Sequence, residues 1–333
     1  MPPARPRHRA PRIALGGTLV GAGLFATATA LFAEYVVNAL TEASPPREKR
    51  TGFTPFETGV DWEEVSFPTE GGMTLNGWFF KGGGDAPAVL ACGGYRGNRA
   101  DLLGISSNLW RAGFNVLLFD YRGHGGQPGD VTLGYRELED ARAALRYLRE
   151  RRPEAPLGAI GFSMGASVAI MLAAREHDVR ALVADSPFTS QREIVRFRMA
   201  RHVGLNPSRL TAPLAAIILS LVDRRLAQRF GFRLTDVQPL RDMAQLALRP
   251  VLLIHGEDDQ IIPVDHSHRM ERAGRNAGVR LETWYVPGAW HCGAYFLDRP
   301  RYCDRVARFF SANLLDAGEV CRERGRGARS HAE

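Results

Sequence analysis

The stretch Leu157-Gly-Ala-Ile-Gly-Phe-Ser-Met-Gly-Ala-Ser-Val-Ala-Ile-Met-Leu-Ala-Ala174 decides the fold. Its first five residues are apolar or glycine and fit a strand buried on both sides. From residue 164 to 174 the composition turns to alanine and long aliphatics, which favour a helix. Between the two lies Gly161-Phe-Ser-Met-Gly165, a G-x-S-x-G motif in the strand–turn–helix setting it needs. Small neighbours let strand and helix crowd together. The sharp turn then presents the Ser163 hydroxyl and aims the following amides at a developing negative charge.

Working outward, short apolar runs alternate with longer amphipathic ones. The runs are 88–91, 115–119, 157–161, 181–184, 251–254 and 281–286; the helical patterns are 102–111, 135–151, 164–174, 266–277 and 300–314. In 135–151, Leu138, Ala141, Leu145 and Leu148 fall on one face. Runs at 64–67 and 73–80 flank Gly71-Gly72 and read as an antiparallel hairpin. The pattern predicts an α/β fold: a mostly parallel twisted sheet with helices on both faces and ligands at the carboxyl ends of the strands. The interval 188–249 lacks a strand signal, so it is a helical insertion, either a lid over the site or helices packed on the body.

A serine alcohol needs a base, and the base needs an acid to hold it. Among nine histidines, His291 follows the last strand pattern, where the strand's carboxyl end would carry it to the serine. His124 and His255 sit at strand ends and read as structural, and His266 and His268, two apart, do not share a helical face for a metal pair. For the acid, Glu257-Asp258-Asp259 follows a strand; Asp259 is favoured over Asp258, with Asp185, after an earlier strand, as the outside candidate. The order Ser, Asp, His differs from those of chymotrypsin and subtilisin and matches α/β-hydrolases.

At this point the sequence resembles the α/β-hydrolase superfamily over about residues 60–315, and is most similar to bacterial membrane-anchored serine hydrolases of serine aminopeptidase-like or esterase-like type. The likeness rests on Cys92-Gly-Gly-Tyr-Arg-Gly-Asn98, Asp120-Tyr-Arg-Gly-His-Gly125, the Gly161–Gly165 turn and His255-Gly-Glu-Asp-Asp259 with Ile262-Pro263. The last of these is what separates Asp259 from Asp258. The resemblance implies an oxyanion hole formed by the backbone N–H groups of Tyr95 and Met164. Two departures are visible: Gly93 stands where the family often has histidine, and Trp290 and Cys292 flank His291 where small residues are common. The expected activity is cleavage of an ester, thioester or amide in a small acyl substrate, through an acyl-enzyme on Ser163. Acyl transfer to another acceptor, or a non-catalytic tethered binding module, are the alternatives. No cofactor or metal is implied.

The 333 residues carry a net charge of +7, of which the arginines of residues 1–12 supply +4 and the tail 322–333 supplies +2. A nearly neutral body argues against nucleic-acid binding, which concentrates basic charge on a folded face. Residues 13–33 are free of charge, long enough to span a bilayer, and follow four arginines that keep the N-terminus inside. The expected organisation is therefore a basic tail 1–12, a single-pass anchor or uncleaved signal 13–40, a linker 41–56, the catalytic domain 57–315 outside the cytoplasm, and a disordered basic tail 316–333. Ala28-Thr29-Ala30 keeps a cleaved signal open as the competing reading. Cys292 and Cys303 either pair or remain free thiols, and the sequence leaves the oligomeric state open.

Overall fold

Eight strands form one sheet: β1 (Trp62–Pro68), β2 (Thr74–Phe80), β3 (Ala88–Cys92), β4 (Asn115–Phe119), β5 (Leu157–Phe162), β6 (Val179–Asp185), β7 (Pro250–Gly256) and β8 (Arg280–Val286). The computed structural model describes residues 10–43, 53–202 and 212–315, with side chains from residue 22 onward. The spatial order is β1-β2-β4-β3-β5-β6-β7-β8. β1 and β2 form the expected antiparallel hairpin, with Trp62 opposite Phe80 and Pro68 opposite Thr74. β2 is also antiparallel to β4, and every pair from β4 to β8 is parallel.

The burial pattern explains the two halves. Every residue of β3, β4 and β7 is buried, as continuous Val/Leu/Ile runs require when helices cover both faces. In β1, burial alternates after Glu63, the signature of a strand with one face toward water. Behind the serine, the helix Met164–Arg175 buries every residue from Met164 to Ala174, so it is a central core helix. One core cluster joins Val89, Val116, Ile160, Val183 and Leu252 of the sheet to Leu109, Tyr302, Val306 and Phe310 of helices on one face. Because β3 and β5–β8 point the same way, the loops that leave them converge on one rim.

The chain divides into two compact units, Met1–Leu40 with Met199–Arg233, and Thr41–Arg198 with Leu234–Glu333. The second holds the whole sheet. In it, Gln191 donates to the Thr132 carbonyl at 2.8 Å, Leu240 N–H to Thr189 at 3.1 Å, and Arg269 to Glu193 at 2.6 Å. Both ends of the 188–249 interval are thus built into the sheet-bearing unit, and no strand occurs in its described residues.

In the first unit, the helix Ala10–Thr41 includes Ala22–Thr41, a stretch long and apolar enough to cross a membrane. Thr27 and Thr29 turn their hydroxyls back to carbonyls four residues earlier, which satisfies them without water. The helix runs past the charge-free stretch: Glu34 and Asn38 each accept from Arg229 of the helix Ala212–Phe230 at 2.7 Å. Residues 1–9, 44–52, 203–211 and 316–333 lie outside the described residues, and with them most of the expected linker, most of the N-terminal basic tail and all of the C-terminal one, while residues 10–12 of the first tail begin the helix. The end of that linker is folded: Thr54 and Glu57 form a reciprocal cap on the short turn Pro55–Thr58.

Candidate active site

Steric crowding at the serine turn accounts for both glycines. A Cβ on Gly161 would come 2.2 Å from the Gly165 carbonyl oxygen, and one on Gly165 would come 2.2 Å from that of Cys92. Ser163 itself takes φ 56°, ψ −117°, a strained conformation for a residue with a side chain. The strain is held by the bond from its N–H to the Asp185 carbonyl at 2.8 Å and by the buried helix that begins at Met164.

Strand β7 ends at Gly256, and the turn beyond it presses on the loop after β8. A Cβ on Gly256 would meet the Ala289 carbonyl oxygen at 2.3 Å. Glu257 N–H donates to Val286 and Asp258 N–H to Ala289, each at 3.0 Å. These bonds set Asp259 against His291. Glu257 and Asp258 are exposed, whereas Asp259 is 4% exposed, which is the physical distinction between neighbouring carboxylates. Asp259 Oδ1 accepts from the Ile261 and Ile262 amides at 2.8 and 2.9 Å.

The three predicted side chains meet. His291 Nδ1 lies 2.7 Å from Asp259 Oδ2 and Nε2 lies 2.8 Å from Ser163 Oγ. A carboxylate only accepts, so Nδ1 carries the proton and Nε2 is free to accept from the serine hydroxyl. Burial works against the charge on Asp259; donors from His255, His291 and Ile262 outweigh it and hold the carboxyl well below its ordinary range.

The outside candidate, Asp185, is fully buried at the end of β6 but bonds elsewhere. It accepts from Tyr302 Oη at 2.8 Å and Ser186 Oγ at 2.9 Å. Burial raises its pKa, against the pull of those two hydroxyls. Ser186, at φ 56°, in turn accepts from the Cys292 N–H at 3.3 Å, tying the histidine loop to β6. Cys292 and Cys303 are free thiols, and burial pushes the Cys292 thiol well up, so it stays protonated.

Tyr95 lines the cleft beside Gly94, whose Cα side lies close to Ser163: a Cβ there would be 3.7 Å from that of the serine. The loop is braced where it leaves the site. Asn98 caps the turn Arg99–Leu102, Asp101 caps back to the Asn98 N–H, and Asp120 accepts from the Arg99 N–H at 2.6 Å. His124 is buried with Nδ1 2.7 Å from the Arg122 carbonyl, and Arg122 pairs with the buried Asp140, so that motif shapes the fold. No cluster with metal-ligating composition occurs among the described residues.

The cleft has a volume of about 490 Å³, and its walls are Leu102, Ile105, Phe162, Tyr295 and Phe296, with Asp101 the one carboxylate. Tyr295 and Phe296 come from the short helix Ala294–Leu297, which sequence periodicity does not reveal. Trp290 stacks on Phe296 at 6.4 Å, and both are more than half exposed at the mouth. Sequence reasoning also left unread the part played by His255, whose contact with Asp259 is 3.2 Å long; its spacing in His255-Gly-Glu-Asp-Asp259 was the available signal.

A serine aminopeptidase (S33) family model matches residues 86–216. An uncharacterized protein of Mycobacterium tuberculosis is 34% identical over 256 residues, 76% of this chain and 80% of that one. The chain belongs to the S33 serine aminopeptidase family of α/β hydrolases. A Bacillus subtilis relative, YqkD, is 28% identical over 279 residues, covering 82% of this chain and 87% of its own. Among solved structures, the Pyrococcus furiosus esterase Pf2001 superposes with a TM-score of 0.64 at 25% identity, covering 79% of this chain and 96% of that one. The acylaminoacyl peptidase of Pyrococcus horikoshii, at 15% identity and a TM-score of 0.58, shares the fold. The membership supports hydrolase chemistry; the family spans several bond types, so the substrate is a question for the site itself.

Proposed function

We propose that this α/β hydrolase cleaves ester, thioester or amide bonds through an acyl-enzyme on Ser163. The observation that carries the reading is the unbroken run from Ser163 Oγ to His291 at 2.8 Å and from His291 to Asp259 at 2.7 Å, at the strained turn. Ser163 Oγ attacks the substrate carbonyl carbon while His291 Nε2 takes its proton. The amides of Tyr95 and Met164 stabilise the oxyanion, an arrangement in which each donor contributes roughly 3–4 kcal/mol. Collapse breaks the bond to the alcohol, thiol or amine, which leaves with the proton from His291. Water, activated by the same ring, then releases the acid and restores the serine. Asp259 keeps the imidazole in the productive tautomer and balances its charge.

The apolar walls of the cleft favour an acyl group with little charge, and the Pf2001 likeness makes simple esters the first substrates to try. Ser163→Ala should lower hydrolysis of a short 4-nitrophenyl ester by about 10⁴-fold or more, with melting behaviour unchanged. Retained turnover in that variant removes Ser163 from the role.

The apolar helix supports placement at a membrane, as a single-pass anchor or uncleaved signal with the hydrolase unit outside the cytoplasm. Carbonate-resistant sedimentation of the full chain, with external protease reaching the hydrolase unit in spheroplasts, is the expected result. A chain that washes off, or a unit that stays protected, contradicts it.

A further inference from the structure

His255, the penultimate residue of β7, has no exposed surface. Its Nε2 lies 2.8 Å from the Ile262 carbonyl oxygen and 3.2 Å from Asp259 Oδ2. Both of those oxygens only accept, so Nε2 carries a hydrogen in every protonation state of the ring. Its Nδ1 lies 2.6 Å from Ser267 Oγ, on the helix Asp265–Asn276, so the ring is gripped from both ends. The oxygen it approaches on Asp259 is the one that receives the His291 Nδ1–H. The acid therefore stands between two imidazoles, one mobile in proton count during turnover and one locked in place.

We propose that His255 is a positioning residue for the catalytic acid: its Nε2–H, fixed by Ile262 and Ser267, is shared onto Asp259 Oδ2 and sets both the orientation of that carboxylate and the strength of its hold on His291. The inference rests on the serine-hydrolase reading. A carboxylate that gives part of its lone-pair density to a neutral N–H binds an imidazolium less tightly than one that does not. With His255 in place, Asp259 orients His291 without trapping its proton. Remove the donor, and Asp259 concentrates its charge on His291, which then stays protonated to higher pH and fails as a base. The charged and titratable groups around the ring are Asp259 in the same loop, Asp185 at the end of β6, His266 on the following helix and His291 beyond Asp259.

The test uses two nearly isosteric replacements in the full chain. His255→Gln keeps an N–H near the place of Nε2, and His255→Met removes it. The readouts are the second-order rate of serine labelling by a fluorophosphonate probe and kcat/KM for a short 4-nitrophenyl ester, each across pH, with melting temperature as the check on folding. The expected result for His255→Met is roughly a tenfold loss at neutral pH with the acid limb displaced upward by about half a pH unit; His255→Gln restores most of both. Loss with the limb unmoved, or equal loss in the Gln variant, means that His255 only fills space, and overturns the proposal, as does a Met variant with wild-type rates. Should both variants fail to fold, Ser267→Ala carries the test: it loosens the ring, and a limb displaced upward by a smaller amount supports the proposal while an unmoved limb overturns it. A wild-type chain that neither labels nor turns over ester contradicts the serine-hydrolase reading itself, a result separate from any of these.

Discussion

Two carboxylates close neighbouring parallel strands, and they have been given opposite characters. Asp185 ends β6 with no exposed surface, and its donors are the hydroxyls of Tyr302 and Ser186. Asp259 follows β7, almost as deeply buried, and its donors are two backbone amides and two imidazoles. Burial raises the pKa of the first and is overcome at the second. Depth alone therefore does not set the charge of a buried carboxylate; the number and kind of donors decide whether the charge survives. The β6 carboxylate serves architecture: its backbone holds the Ser163 N–H and, through Ser186, its side chain reaches the histidine loop.

The comparison breaks most visibly under exchange of each acid for its amide. Asp259→Asn should lower kcat/KM roughly 10³–10⁴-fold, because the amide favours the wrong imidazole tautomer, with stability affected far less. Asp185→Asn should leave most of the activity. Equal losses in an ester assay would erase the distinction between the two sites.

A smaller effect sharpens the architectural half. Tyr302→Phe deletes a donor to a buried carboxylate and should cost about 1–3 kcal/mol of stability in denaturant unfolding, the range for an orphaned buried group, while kcat/KM stays near the wild-type value. Catalytic collapse without loss of stability would place Asp185 in the chemistry.

The smallest effect lies on the helix that follows β7, Asp265–Asn276, where His266 Nδ1 accepts from the Thr189 N–H at 3.1 Å. Burial, the largest influence, pushes its pKa down from 6.5 to about 4. The unfolded chain therefore takes up a proton below about pH 6.5 that the folded chain refuses until about pH 4. Stability from this group is complete above the upper value and is lost as pH falls through that window. The melting temperature of the wild type should drop more steeply there than that of His266→Asn, whose side-chain oxygen can still accept from Thr189. Parallel curves would mean that the ring is charged in the fold.

Much of this was legible from the residues. The apolar runs located all eight strands, with ends off by a residue or two where Pro250 or Arg180 extends a strand without an apolar side chain. Ser163 and His291 were singled out by glycine spacing and strand ends, whereas Asp259 was separated from Asp258 only by the likeness of His255-Gly-Glu-Asp-Asp259 with Ile262-Pro263 to the family's acid segment, because the fold decides which of three neighbouring acids turns inward. The Ser186 turn was not readable: it takes φ 56° without the glycine that normally marks such a place. Nor were the Tyr302–Asp185 and His255–Ser267 bonds, since each joins residues on different elements through geometry that only the folded sheet supplies. The cap at the end of the linker was written in Thr54-Pro-Phe-Glu57 and lay in a stretch whose prolines and charges suggested only a connector.

The most direct test of the central claim is mass spectrometry of the intact chain and its peptides after reaction with a fluorophosphonate probe. One adduct is expected, on the peptide bearing Ser163, formed quickly in the wild type and absent from Ser163→Ala. An adduct on another residue, or an unmodified chain that still hydrolyses ester, would contradict the claim.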